Sequence, residues 1–344
     1  AAGLVGERAV RCRRRLRNRC AERPGRAMTR VAAIDCGTNS IRLLIADLDP
    51  AGGPLSDVVR QMEVVRLGEG VDRTGLLSVA AIERTRVALA GYARQIEQHA
   101  AVRVRMVATS ASRDAGNRDD FVRMVHATLG ADPEVITGNE EAALSFAGAI
   151  AGLPGIADPV LLTDIGGGST ELVLGRMAAG PGGSVQAAHS MDVGCVRLTE
   201  RHLHDDPAST AQIDAALADL HAAIDAAALD VPLGGAASFV GVAGTVTTIA
   251  ALALHLPAYD PGAIHGSVIS AQQVADITTM LMGMTRAQRA GLAVMHPGRV
   301  DVIVGGALVL RTLMERTGSA QVIASEHDIL DGIAASLAQA IPPA

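Results

Sequence analysis

Two short stretches of the chain hold the residue types that phosphate chemistry uses: Asp35-Cys36-Gly37-Thr38-Asn39-Ser40 and Asp164-Ile165-Gly166-Gly167-Gly168-Ser169-Thr170. In each, an aspartate closes an apolar run and is followed by glycine and hydroxyl residues. Glycine permits a tight turn whose backbone N–H groups gather around one point, and hydroxyls add donors, so an anionic phosphate is the natural occupant. Gly166–Gly168 taken alone reads equally as a structural turn. A second copy with its aspartate in the same place favours two turns that clamp a phosphate across a cleft. Asp35 and Asp164 end buried strands, where an unpaired carboxylate is costly and a divalent cation bridging to phosphate would compensate it. Capping of the adjacent turn is the alternative. Glu171, just past the second turn, is a further hard oxygen ligand or water-positioning group by strand alternation, or else a solvated strand residue.

Two other segments carry groups suited to the same chemistry. Glu140-Glu141 follows Gly138-Asn139 at a helix start, where acids ordinarily just complement the helix dipole. Thr109-Ser110-Ala111-Ser112-Arg113 follows a strand, at the end where α/β proteins bind ligands. There Arg113 is a phosphate ligand or a surface ion pair.

The elements that must position these groups alternate between strand and helix. Val31–Cys36 and Ile41–Asp47 form one hairpin, Val160–Ile165 and Glu171–Leu174 another, which implies two homologous halves. Helical spacing runs over Val79–Gln98, Asn117–Leu129 and Asn139–Ile150, the last with Asn139 as N-cap. Further helices are expected from about Ser209 to Ala228 and near Ala271–Met282 and Arg299–Arg316. Strands are expected at Val102–Ala108, Val185–His189 and Ser238–Val242. Gly152-Leu153-Pro154-Gly155 is the clearest internal turn. These limits give an N-terminal extension at 1–27, a first domain at 28–145 and a second at 146–344.

Composition narrows the partners. With 344 residues, 49% of them hydrophobic, the chain has ample material for two α/β domains. Only three Phe, two Tyr and no Trp are present, which offers no stacking surface for a polynucleotide. All 30 basic residues are Arg, so a lysine-dependent Walker loop is excluded and phosphate recognition falls to guanidinium groups, backbone amides or metal. Residues 1–27 hold nine Arg against Glu7 and Glu22. They lack the apolar core of a secretory signal and read as a disordered arm. The rest, with 21 Arg against 34 acids, is strongly acidic, so an anionic substrate needs local positive sites. Cys12, Cys20, Cys36 and Cys195 show no metal-binding spacing and fit reduced thiols in a cytoplasm. The uncharged stretch Phe239–Leu256 is interrupted by glycine and threonine and reads as a buried strand turning into a helix, with no membrane span.

Six motifs together resemble the exopolyphosphatase/guanosine pentaphosphate phosphohydrolase family, and actinobacterial exopolyphosphatases in particular: Asp35-Cys-Gly-Thr-Asn-Ser, Leu67-Gly-Glu-Gly-Val-Asp-Arg-Thr-Gly-Leu-Leu, Ala108-Thr-Ser-Ala-Ser-Arg-Asp-Ala-Gly-Asn, Ile136-Thr-Gly-Asn-Glu-Glu-Ala, Thr163-Asp-Ile-Gly-Gly-Gly-Ser-Thr-Glu-Leu and Gly241-Val-Ala-Gly-Thr-Val-Thr-Thr. The resemblance spans about Thr29 to Ser336. It implies an α/β fold of two ribonuclease-H-like domains, of the actin/Hsp70/sugar-kinase superfamily, with the active site in the interdomain cleft. By motif it assigns Glu141 as catalytic base and Asp164 and Glu171 as metal-associated acids, with Asp35 beside them. Gly37, Thr38, Asn39, Ser40 and Gly166, Gly167, Gly168, Ser169, Thr170 become the phosphate loops, and Arg113 a phosphate-binding arginine.

The implied reaction is Mg²⁺- or Mn²⁺-dependent release of terminal phosphate from inorganic polyphosphate. Guanosine pentaphosphate hydrolysis and a non-catalytic polyphosphate or alarmone sensor are the alternatives, and guanosine tetraphosphate is a further ligand candidate. A homodimer is implied by the resemblance only. One departure stands out. Where the family often carries a Leu-Arg-Glu-Gly-like run, Ser325 is followed by Glu326-His327-Asp328-Ile329-Leu330-Asp331-Gly332. The missing positive charge points toward short chains.

Overall fold

A computed structural model describes residues 28–49, 53, 55–153, 155–177 and 183–339. The extension 1–27, with Cys12 and Cys20, lies outside the described residues, as does Pro154 of the internal turn.

Strands β1 (Thr29–Cys36), β2 (Ser40–Leu48) and β3 (Ser56–Val64) form an antiparallel meander. β4 (Arg103–Ala108) and β5 (Glu134–Val135) extend it in parallel on the far side of β1, giving the order β3-β2-β1-β4-β5. A second sheet contains β6 (Val160–Ile165), β7 (Thr170–Arg176), β8 (Ser184–Met191), β9 (Ser238–Val242), β10 (Val268–Ser270) and β11 (Gln321–Ala324), in the order β10-β11-β9-β6-β7-β8. Apart from the short edge strand β10, the second sheet repeats the first strand for strand. The repeat holds in register: Asp35 stands opposite Arg42 in one hairpin, and Asp164 opposite Glu171 in the other.

Both faces of each sheet are covered, which is why the central strands read as nearly unbroken apolar runs. Ala32, Ile34, Ile41, Leu43 and Ile45 face the helix Val79–Gln98, whose Ala81, Leu89, Tyr92 and Ile96 lie on one side of it. The Tyr92 hydroxyl meets its need for a partner by donating to the Ile41 carbonyl at 3.0 Å. The alternate residues Val31, Ala33, Leu44 and Ala46 face Ile329, Leu330, Ile333 and Ala334 of the final helix, Ile329–Gln339. In the second sheet Val160, Leu162, Val173 and Val240 pack on Ala142, Phe146 and Ala149 of the helix Gly138–Ile150. Its other face carries the largest core, built with the helices Thr210–Ala227, Ala243–Ala253, Ala271–Gly283 and Ile303–Thr317.

The helices Gly138–Ile150 and Ile329–Gln339 meet between the two sheets. Contact is backbone-close: a Cβ on Gly148 would lie 1.9 Å from the Asp328 carbonyl oxygen, and one on Gly332 2.0 Å from that of Leu144. Although it comes last in the chain, the final helix thus packs on the first sheet and not on its own half.

Three local expectations need correction. The helix before the second sheet is capped by Thr137 rather than Asn139. Thr137 Oγ1 accepts from the Glu140 amide, and the Glu140 carboxylate accepts from the Thr137 amide, a reciprocal capping box. The helix placed near Arg299–Arg316 starts at Ile303, because Pro297 and Gly298 confine Arg299 to a preceding 3₁₀ turn. Strand β3, which carries charged and polar side chains on its exposed positions, has no counterpart in the sequence expectations.

Candidate active site

The two hairpin turns meet. Thr38 Oγ1 and Ser110 Oγ lie 2.8 Å apart, and a Cβ on Gly168 would fall 2.6 Å from Ser110 Oγ and 2.7 Å from Thr38 Oγ1. Only glycine permits this approach. The turns are braced from behind, where the Thr38 carbonyl accepts from the Gly68 amide and the Asn39 carbonyl from those of Val65 and Arg66. The Gly166 and Gly167 carbonyls accept from the amides of Cys195, Val196 and Arg197, which open the helix Cys195–His202. With those acceptors occupied, the polar groups left to the turns are amides and hydroxyls, the chemistry an anion takes.

Between the turns lies a cavity of about 110 Å³. Ten of the fourteen residues singled out from the sequence line it: Asp35, Gly37, Thr38, Asn39, Ser40, Glu141, Asp164, Gly166, Gly167 and Ser169. The other four stand behind the wall. Gly168 packs on Thr38 and Ser110, Thr170 Oγ1 donates to the Val193 carbonyl at 2.7 Å, and Glu171 accepts from Ser190 Oγ at 2.8 Å. Arg113 donates to Glu141 at 3.0 Å and to the Ile136 carbonyl at 3.2 Å.

Every carboxylate here is buried, and burial dominates its proton affinity. Glu141 is pushed up to about 7 by burial, against the opposing pull of Arg113. Asp164 is pushed up to about 6 by burial and by Asp328, against a hydrogen bond from Ser145. Glu171 is raised well above the carboxylate range by burial and by its neighbours Glu141 and Asp164. Asp35 is raised by burial, although Arg42 donates to its Oδ2 through Nε at 2.9 Å and Nη2 at 2.6 Å. The Cys195 thiol in the same wall is pushed up to about 11 by burial and stays protonated.

Four groups of the site were not anticipated. Ser145, one helical turn beyond Glu141, is buried on the same face and donates to Asp164, so a single helix supplies both the acid and the brace for its neighbour. Arg42 pins Asp35 from the opposite strand. Its signal was available, since Arg42 follows Asp35 at the same interval as Glu171 follows Asp164. Arg299 borders both this cavity and a second chamber, and its guanidinium lies over Gly244 and donates to Thr248 Oγ1 at 3.0 Å. Ala243 holds φ at +66° where β9 turns into a helix, a left-handed geometry that costs a non-glycine residue about 1–3 kcal/mol and concentrates at functional sites. The second chamber, about 470 Å³, adjoins the first and is walled by Arg42, Arg60, Met62, Tyr259, Val294, Met295, Pro297, Arg299, Glu326 and Asp328, among others.

The carboxylates fit a divalent cation. Asp35 Oδ1 is buried with no hydrogen-bond partner, and the acids raise one another with too little positive charge among them. No three His, Cys, Asp or Glu side chains converge on one point among the described residues. A cation would therefore draw at most two carboxylates from the described residues and complete its shell from other oxygens, phosphate and water, as magnesium commonly does.

Two sheets of one strand order, each opening with a hairpin whose turn lines a shared cavity, define two ribonuclease-H-like halves of the actin/Hsp70/sugar-kinase superfamily. Within that class the chain belongs to the Ppx/GppA phosphatase family, whose model matches residues 44–340. Exopolyphosphatase 2 of Mycobacterium tuberculosis strain H37Rv is 53% identical over 323 residues, which cover 91% of this chain and 99% of that one. The crystal structure of an exopolyphosphatase-like protein has a TM-score of 0.87 at 43% identity, covering 91% of this chain and 98% of its own. The Aquifex aeolicus member of the Ppx/GppA family has a TM-score of 0.76 at 29% identity, covering 92% and 100%. The chain is thus a hydrolase of a phosphatase family. No helix among the described residues is long and apolar enough to cross a membrane.

Proposed function

We propose that the chain is an exopolyphosphatase that removes terminal phosphates from inorganic polyphosphate, preferring short chains. The observation that carries this is Glu141, a carboxyl raised to about 7 in the wall of a cavity that both hairpin turns line. A terminal phosphoryl occupies the cavity between Thr38-Asn39-Ser40 and Gly166-Gly167. Glu141 takes a proton from a water whose oxygen bonds to the terminal phosphorus. The bridging P–O bond breaks, and orthophosphate leaves with the shortened chain as the other product. Mg²⁺ or Mn²⁺, held by Asp35 or Asp164 with Glu171 behind, would spread the charge of the transferring phosphoryl. Arg42 and Arg299 border the same space, whereas Arg113 is engaged in orienting Glu141.

A cytoplasmic setting accords with the buried, unpaired thiols of Cys36 and Cys195. A homodimer is implied by the resemblance alone, and a division into domains near residue 145 by the strand repeat.

A second reading, hydrolysis of the 5′ γ-phosphate of guanosine pentaphosphate, is favoured by one feature: Met62, Tyr259, Val294, Met295 and Pro297 give the adjoining chamber an apolar wall suited to an organic group. Orthophosphate release from polyphosphate and from guanosine pentaphosphate, measured side by side, separates the two. Release from polyphosphate supports the first reading, and release from the nucleotide alone supports the second.

A further inference from the structure

The chamber beyond the cavity is bordered by Arg42, Arg60 and Arg299 and has the size to take several phosphates, yet most of its positive charge is matched from within. Arg42 donates through Nε and Nη2 to Asp35 and through Nη1 to Asp328. Arg60 donates to Asp331 at 2.6 and 3.1 Å, and its Nε to Asp57 at 2.7 Å. Of the three guanidinium groups, only Arg299 has no carboxylate partner among the described residues. Asp328 and Asp331 come from the altered motif at the start of the final helix. The backbone that carries them has no room to retreat, because the Asp328 carbonyl abuts Gly148 on the neighbouring helix. The two oxygens of Asp328 divide their work: Oδ1 accepts from the Leu330 amide at 3.0 Å and caps the helix, while Oδ2 holds Arg42.

We propose that Asp328 is a specificity-determining residue, which limits the enzyme's grip on long polyphosphate by occupying Arg42. The proposal rests on the exopolyphosphatase reading. A polyanion gains affinity with length only where successive phosphates meet unmatched cations. Apart from Arg299, a phosphate reaching into the chamber meets Arg42 only by displacing Asp328, exchanging one anion for another and leaving a buried carboxylate without its ion pair. The terminal phosphates, held by the turns, do not face that exchange.

Asp328→Asn tests this, because Asn keeps an oxygen for the helix cap while removing the charge. Orthophosphate release is measured with tripolyphosphate and with long-chain polyphosphate. The long-to-short ratio of kcat/KM should rise about tenfold, carried by a lower KM for the long chain, as one freed charge-assisted contact would give. A ratio unchanged within about twofold in a folded variant overturns the proposal. A second measurement needs no substitution. With one unmatched guanidinium in the chamber, the wild-type slope of log KM against log salt concentration should be about one and the same for both chain lengths. A slope that steepens with length contradicts the proposal. If wild type releases phosphate from neither polymer, the exopolyphosphatase reading fails, whereas release from the long chain alone overturns the proposal. Calorimetric binding of the same two polymers to wild type and Asp328→Asn then applies the same ratio criterion to the proposal.

Discussion

Arg113 donates to Glu141 at 3.0 Å, an ion pair in a place where burial otherwise lifts the carboxyl. The two effects oppose each other and leave Glu141 at about 7, near the best value for a base that must be ionised yet still accept a proton at neutral pH. Activity should therefore rise with pH along an acid limb centred at about 7. Arg113→Ala removes the lowering influence, so the limb should move upward by about one to three units, the usual effect of a nearby opposite charge. A pH profile of kcat/KM reads both. A limb that stays in place in the variant would show that Arg113 does not tune Glu141.

Burial of so many acids also shapes stability. Glu141, Asp164 and Glu171 are all raised, so each binds a proton more tightly folded than unfolded. Their contribution is fully present below the ordinary carboxylate range and is lost as pH rises through about 6 for Asp164 and about 7 for Glu141. The unfolding temperature of the ligand-free protein should fall as pH rises from 4.5, the unfolded value of a glutamate, to about 7. A midpoint that climbs across the same window contradicts the account.

Ser145→Ala removes the donor that holds Asp164. A buried acceptor left unsatisfied costs about 1–3 kcal/mol, measurable by denaturant unfolding. Because that hydrogen bond lowers the proton affinity of Asp164, its loss should also raise the pH at which Asp164 ionises. Threonine, which keeps the hydroxyl, should restore part of both.

The close seam between the two central helices makes Gly148→Ala costly, since the added Cβ would lie 1.9 Å from the Asp328 carbonyl oxygen and 2.7 Å from the Gly332 amide nitrogen. Separation of the helices should cost about 1–3 kcal/mol or more. Gly283→Ala is the control, because nothing lies within 4 Å of its Cβ position at the end of a helix. It should be neutral or slightly stabilising, and equal losses at the two sites would refute the packing argument.

Much of this site was legible because local patterns carry it. The hairpin repeat, with Asp35 and Asp164 in matching places, depends only on strand alternation and turn chemistry, and both turns line the cavity. Of the two acids after Asn139, Glu140 is spent on the cap while Glu141 is buried; the resemblance singled out Glu141, and the cap at Thr137 gives the physical reason. What the sequence did not reveal is carried by approaches between distant segments. Ser145 matters because β6 brings Asp164 against its helix, and Arg299 because Gly244 lets a guanidinium settle on its backbone. The role of Asp328 and Asp331 was hidden because the final helix returns to the first sheet, a path that strand and helix order does not encode. The loss of positive charge in that motif was visible; its consequence, two acids matched to Arg42 and Arg60, was not.

In the proposed reaction Glu141 activates water against a terminal phosphate held between the two turns. Orthophosphate release from short-chain polyphosphate with Mg²⁺ or Mn²⁺, compared between wild type and Glu141→Gln, addresses it most directly. The account predicts a wild-type activity that falls by about 10²–10⁴ in the variant with its fold intact. A folded variant that keeps more than about a third of wild-type activity would contradict it, because a general base cannot be dispensed with at so small a loss.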